Sequence, residues 1–341
     1  MIAELSGRRL VQLKVPGDKQ TLSIHRLLQE KILHDLDVEE LNEVFGKAYC
    51  LVRKQFPRAS PIQVPEPYKA TACKEYAPHV LSLRRAFDAT AAIEPSLDLA
   101  ELFYDAGFHV WELQTAPDEG VLYLETAERI LDRLNYDPHA KIRADIHTAI
   151  AMLYSIIGIR FRTQNLQRFR DAHTIRQKVY ELDTLSREND ILCTNAASDL
   201  GYYLFETWEY EEASKIFQAC YRKYQEWGTE TEFPFEYMKY YFNNARLCMH
   251  RGNYLEAINL FRRAIELSEK ALGKTWFYLL VQFNLACTML QAGDLQSALD
   301  MHLKVFAAQE KAMGKYDSAT IMSNYAVGAV HYYLGDFSAA A

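Results

Sequence analysis

The pattern of apolar and polar residues repeats along the C-terminal half of the chain. From Tyr240 to Gly273, apolar positions recur at steps of three and four residues on both sides of a short turn, as the faces of two helices require. Ala257, Phe261 and Ala264 share one face of the second helix. A hairpin of this kind cannot bury its apolar face alone, so the pattern predicts neighbouring hairpins that cover it.

The same pattern recurs at a nearly constant interval. The equivalent alanines of the second helices are separated by 44, 41 and 42 residues: Ala213, Ala257, Ala298 and Ala340. A small residue stands twelve positions before each of them: Gly201, Ala245, Ala286 and Gly328. One fixed offset in four copies predicts close helix crossings within a solenoid of stacked hairpins.

These offsets resemble those of tetratricopeptide repeats (TPR), in the longer form found in kinesin light chains. The resemblance is clear from Asp190 to the C-terminus and weaker from Ile93 to Leu185. In the weaker part, Ala172 is the expected repeat alanine, and the first hairpin has Gly120 or Val121 where the alanine is expected. The resemblance implies an all-α, right-handed TPR-like helical-hairpin solenoid of five to six hairpins over residues 93–341, with the last repeat truncated.

The N-terminal segment follows a different pattern. Residues 9–15 and 21–25 alternate apolar and polar side chains on either side of a turn-rich joint, which predicts a β-hairpin. Two amphipathic helices follow, over about 25–36 and 37–55.

The order of three short segments carries a second resemblance. The segment I-H-R-L-L-Q-E at 24–30, the joint Phe56-Pro57 and P-H-V-L-S-L at 78–83 are similar to the C-terminal part of fungal NB-ARC/NACHT-type STAND signalling ATPases, where a small winged-helix domain precedes the repeats. The resemblance implies a winged-helix-like, α+β remnant at 1–56. We expect residues 57–92 to form a linker and a covering helix.

The sequence contains no enzyme motif. No G-x-x-x-x-G-K-[ST] phosphate loop, G-x-S-x-G elbow or H-E-x-x-H pair occurs, so we expect a non-catalytic protein that needs neither a cofactor nor a metal. A net charge of −7 argues against a general nucleic-acid ligand. Six cysteines without a C-x-x-C pair, and the lack of a long apolar run, predict a reduced cytoplasmic protein with no membrane contact.

Candidate binding residues lie on the first helices of the hairpins, which in TPR arrays line the concave groove. The predicted concave surface consists of Tyr202, Asn243, Arg246, His250, Asn284 and Asn324. Asn243 and Asn284 each stand two positions before the small residue, and an amide side chain both donates and accepts hydrogen bonds. Two interpretations stay open: these asparagines hold a peptide, or they bond neighbouring helices and determine the stacking.

Together these features predict a protein–protein interaction scaffold or sensor arm that binds a protein or peptide partner on its concave TPR surface. The alternative is an accessory protein, or an enzyme, of a fungal biosynthetic pathway, whose solenoid recruits enzymes or shapes a site. A third hypothesis is a regulatory subunit that acts through the exposed face of the truncated last repeat, where self-association is expected.

Overall fold

The computed structural model describes residues 11–14, 21–25, 28, 31, 32, 35–137 and 140–340. Two short strands, β1 (Val11–Lys14) and β2 (Thr21–Ile24), pair antiparallel, as the alternation of apolar and polar residues predicts. The joint between them and most of the helix predicted over 25–36 lie outside the described residues. The winged-helix-like remnant stays a prediction.

Helices form almost all of the remaining described chain. Two of them, α1 (Val38–Gln55) and α2 (Ala70–Ala89), precede six helical hairpins. The hairpins are α3 (Leu97–Leu113) with α4 (Pro117–Arg133), α5 (Lys141–Ile157) with α6 (Arg162–Leu182), α7 (Arg187–Glu206) with α8 (Tyr210–Trp227), α9 (Pro234–His250) with α10 (Tyr254–Leu272), α11 (Trp276–Gln291) with α12 (Leu295–Met313), and α13 (Ser318–Leu334) with α14 (Phe337–Ala340). The predicted solenoid is thus confirmed.

A glycine ends the first helix in three of the hairpins. Gly252, Gly293 and Gly335 have φ angles of 79°, 87° and 80°, in the left-handed region that glycine adopts without strain. After each glycine, the next backbone N–H bonds back to the helix, as that of Asn253 does to the carbonyl of Cys248 at 2.9 Å. This turn reverses the chain within a few residues and lets the two helices pack side by side.

The predicted close crossings are present. Ala245 and Ala286 are completely buried on the first helices, and Ala257 and Phe261 are completely buried on the facing second helix. A methyl group added to Gly201 would lie 2.8 Å from the ring of Phe217. Small residues at these positions therefore set the distance between the helices of a hairpin.

The first hairpin shares its apolar core with the elements before it. Phe56, Val80 of α2 and Phe87 belong to the same buried cluster as Phe103 and Leu124 of the hairpin. Apolar packing thus continues across positions 56 and 92, and the division of the chain into 1–56, 57–92 and 93–341 stays a prediction.

The packing of α3 on α4 predicts the effect of one added methyl group. A Cβ atom on Gly107 would lie 2.4 Å from Cγ of Leu124, which is completely buried. Gly107→Ala should lower the free energy of unfolding by about 1–3 kcal/mol, because the surrounding core must shift. Urea denaturation followed by circular dichroism measures this change.

Gly46→Ala in α1 is the matched control. No atom lies within 4 Å of its added Cβ, and alanine is favoured over glycine inside a helix by about 0.5–1 kcal/mol. This variant should be at least as stable as the unmodified protein. An unchanged denaturation midpoint for Gly107→Ala would show that α3 and α4 do not cross this closely.

Candidate functional site

The first helices of all six hairpins face one cavity. It has a volume of about 560 Å³ and is lined by residues of α3, α5, α7, α9, α11 and α13. Most lining side chains are apolar or aromatic, among them Trp111, Met152, Phe242 and Trp276. Ligand sites in proteins have volumes of about 300–1,000 Å³. The inner surface of the solenoid therefore encloses a space large enough for a ligand.

The first and fifth hairpins meet at the edge of this cavity. Nε1 of Trp276 donates a hydrogen bond to the backbone oxygen of Glu112 at 3.0 Å, although 164 residues separate them in sequence. The rings of Trp111 and Trp276 contact edge to face, with centroids 5.9 Å apart. Repeats of a solenoid normally contact only their neighbours. This additional contact bounds the cavity between the two hairpins.

Glu112 connects three parts of the cavity wall. Its backbone oxygen binds Trp276, its Oε1 accepts a hydrogen bond from the backbone N–H of Glu66 at 2.6 Å, and its Oε2 contacts Nδ1 of His109. Burial opposes protonation of His109, but the contacts with Cys73 and Glu112 outweigh burial and raise its pKa to about 9. At neutral pH His109 is therefore an imidazolium, and its charge holds Glu112 in position.

Helices α7 and α9 contribute polar residues at equivalent repeat positions. Asn195 and Asp199 of α7 stand 44 residues before Lys239 and Asn243 of α9, the same offset that separates the repeat alanines of these hairpins. Asp199 and Lys239 form an ion pair between the two helices. Burial raises the pKa of Asp199 above its ordinary value, and the charge of Lys239 opposes that shift. This pair compensates its own charge, and the two asparagines line the same cavity.

Asn195 and Asn243 each have a side-chain oxygen for which the described residues provide no hydrogen-bond partner. Both residues line the cavity, and both are only 3% exposed. A buried polar atom left unpaired costs about 1–3 kcal/mol, and most such atoms in proteins are paired. These two Oδ1 atoms are therefore acceptors that a bound hydrogen-bond donor would satisfy.

The cavity contains two of the six predicted site residues, Tyr202 and Asn243. Arg246 lies behind them, with its guanidinium 5.1 Å from the centre of the Tyr202 ring and in an ion pair with Glu206. Arg246 therefore supports the wall, and Tyr202 and Asn243 form part of its surface.

The other three predicted residues do not line this cavity. Asn284 holds the repeat position expected from Asn243, but its Nδ2 donates to the carbonyl of Leu280 in its own helix at 2.9 Å. His250, at the end of α9, stacks on Tyr210 with ring centroids 3.7 Å apart. Asn324 is exposed on α13. Equivalent sequence positions thus have different surroundings in successive repeats.

The pattern of asparagines alone does not identify Asn195, Asp199 and Lys239. The sequence does contain a signal for them. The offset of 44 residues makes Asp199 equivalent to Asn243 and Asn195 equivalent to Lys239 in successive repeats. Because the position two before Gly201 is an aspartate, a search for asparagine at that position passes over α7.

The charges of the cavity wall also limit its chemistry. Its charged side chains are Glu112, Asp199, Lys239 and Asp317, so positive charge is not in excess, as a phosphate ligand would require. Across the described ranges, no group of three or more His, Cys, Asp or Glu residues is arranged to hold a metal ion. Within the described residues, no helix is both long and apolar enough to span a bilayer.

The stacked hairpins and their enclosed inner surface define a helical-repeat protein of the TPR type. Residues 237–311 match the tetratricopeptide repeat family. NprR in complex with its cognate peptide NprX is similar over 92% of this chain and 80% of its own, with 14% identity and a TM-score of 0.62. The apo form of the quorum sensor NprR from B. thuringiensis is similar over 92% and 88%, with 14% identity and a TM-score of 0.53. No curated protein matches the sequence.

The pair of His109 and Glu112 predicts a loss of stability in alkaline solution. The pKa of His109 is about 9 in the folded protein and has an ordinary value of 6.5. Its stabilising contribution is therefore complete below pH 6.5 and is lost as the pH rises through 9. Since one pKa unit corresponds to about 1.4 kcal/mol, the loss should be on the order of 3 kcal/mol.

Urea denaturation between pH 6 and pH 9.5 measures this loss. In the variant His109→Gln, the side chain at position 109 does not titrate in that range. The stability of this variant should therefore decline less than that of the unmodified protein. Equal declines in the two proteins would contradict the role of His109.

Proposed function

We propose that this protein is a non-catalytic scaffold or sensor arm that binds an extended peptide segment in the inner cavity of its TPR-like solenoid. The observation that carries the proposal is the pair of unpartnered Oδ1 atoms of Asn195 and Asn243 in the cavity wall. An extended peptide presents backbone N–H groups at regular intervals. Acceptors on the first helices of two successive hairpins can bind such groups without regard to the peptide's side chains.

The rest of the wall favours a ligand with apolar side chains. Trp111, Phe235, Phe277 and Phe283 line the same cavity as the amides, and burying apolar surface against them stabilises a complex by about 25 cal/mol per Å². Among the described residues of the wall, Lys239 is the one cation, and it is already paired with Asp199. A ligand that brings a strong charge to this wall would therefore have to break that pair or remain unpaired itself, which costs free energy.

The similarity in fold to NprR supports a peptide ligand. One of the similar solved structures contains NprR with its cognate peptide NprX, and this chain shares the fold over 92% of its length. The family match over residues 237–311 covers α9, which carries Lys239 and Asn243. The proposed site thus includes a helix that belongs to the recognised repeats.

Four parts of the hypothesis stay predictions from the sequence alone. They are the origin as the C-terminal part of a fungal NB-ARC/NACHT-type STAND protein, the cytoplasmic location, self-association through the last hairpin, and the alternative of an accessory protein in a biosynthetic pathway. The peptide site proposed above depends on none of them.

Substitution of the two amides tests the proposed site. A displayed library of random peptides is first selected on the purified full chain, and the affinity of a selected peptide is then measured by calorimetry. Asn195→Ala and Asn243→Ala should each weaken binding by about 2- to 10-fold, since each removes one hydrogen bond worth about 0.5–1.5 kcal/mol.

Asn284→Ala is the matched control for these substitutions. It removes the same side chain from the equivalent repeat position, but from a residue that does not line the cavity. Its effect on peptide affinity should be negligible. The proposal fails if no peptide is selected, or if Asn284→Ala weakens binding as much as Asn243→Ala does.

A further inference from the structure

Residues 57–67, here called the strap, form an irregular segment between α1 and α2. The strap has one described backbone hydrogen bond within itself, from the N–H of Gln63 to the carbonyl of Ser60 at 3.0 Å. It belongs to neither a helix nor a strand until the short 3-10 turn that begins at Pro67. Its position therefore depends on what it contacts in the solenoid.

Buried carboxylates of α3 hold the backbone of the strap. The N–H of Ala59 donates to Oδ1 of Asp105 at 2.9 Å, and the N–H of Glu66 donates to Oε1 of Glu112 at 2.6 Å. These two contacts lie seven residues apart along the strap and seven residues apart along α3. The strap therefore runs beside α3, and its amide groups are bound by the first helix of the first hairpin.

The side chains in the middle of the strap contact the next hairpins. Nε2 of Gln63 donates to Oδ1 of Asp145 on α5 at 2.8 Å. Ile62 and Val64 pack against the apolar cluster of the second to fourth hairpins. Gln63 and Pro65 also line the cavity. The strap thus forms one wall of the space in which the peptide is proposed to bind.

We propose that the strap is an internal ligand of the inner groove, and that an external peptide binds by replacing it. This inference rests on the proposed function, because the groove must accept an extended chain from outside. The strap also indicates the class of that chain: a proline-flanked segment with branched apolar residues two positions apart, as in Pro61-Ile62-Gln63-Val64-Pro65. The flanking prolines restrict the unbound chain and so lower the entropy lost on binding.

The attachment of the strap to α1 and α2 explains why such a site would be selective. A ligand segment of the same chain competes at an effective concentration that reaches the millimolar range for short connections. A free peptide at micromolar concentration displaces it only if its own contacts are better. In the unmodified protein, the strap therefore excludes weak ligands from the groove.

A peptide added in trans tests this inference. The labelled peptide PRASPIQVPEP, the sequence of residues 57–67, is titrated by fluorescence anisotropy against two full-length proteins. One is unmodified, and the other carries Ile62→Ser, Gln63→Ala and Val64→Ser, which weaken the strap in cis. The peptide should bind the triple variant at least about 10-fold more tightly than the unmodified protein. The same peptide with the three substitutions should bind neither protein.

Equal affinity for the two proteins, or no binding to a triple variant with unchanged helical circular dichroism, would overturn the inference. Hydrogen exchange on the unmodified protein provides a second measurement in case that variant does not fold. The amides of Ala59 and Glu66 should exchange slowly although they lie outside regular structure, and a library-selected peptide should accelerate their exchange. If such a peptide binds through Asn243 and leaves this protection unchanged, the proposed function stands and the strap is only structural.

Discussion

The hydrogen bond from Trp276 to the backbone of Glu112 is the contact on which the inner surface depends. A stack of hairpins held only by neighbouring repeats is an open superhelix, whose inner face is a groove accessible along its length. Here α11 reaches back to α3, and the groove becomes a bounded cavity. The same Glu112 binds the N–H of Glu66, so the closing contact and the strap depend on one residue.

Buried charge explains how α3 can bind a polypeptide backbone. Asp105 accepts from Arg53 through Oδ2 and from the N–H of Ala59 through Oδ1, and Glu112 divides its two oxygens between His109 and Glu66 in the same way. A buried carboxylate without a cation would be costly. The cation compensates the charge, and the second oxygen remains available for an amide group of the chain.

The local spacing of apolar residues is sufficient to predict the hairpins. It is insufficient to predict which residues line the cavity. The apolar stripe places Ala257 and Phe261 on one face of a helix whatever the rest of the chain does. Asn243 and Asn284 hold equivalent positions, yet only Asn243 lines the cavity, because the surroundings of each side chain depend on more distant residues. A linker is predicted at the start of residues 57–92, but no local pattern indicates that residues 57–67 follow α3.

The strap and an external peptide must meet the same physical requirement. Each has backbone N–H groups without an acceptor in its own segment, and each gains free energy when the groove supplies acceptors. In the first hairpin these acceptors are the carboxylates of Asp105 and Glu112, already used by the strap. In the third and fourth hairpins they are the amide oxygens of Asn195 and Asn243, which are unpartnered. A peptide can therefore bind first at these two amide oxygens and extend towards α3, where each further contact with a carboxylate replaces a contact of the strap.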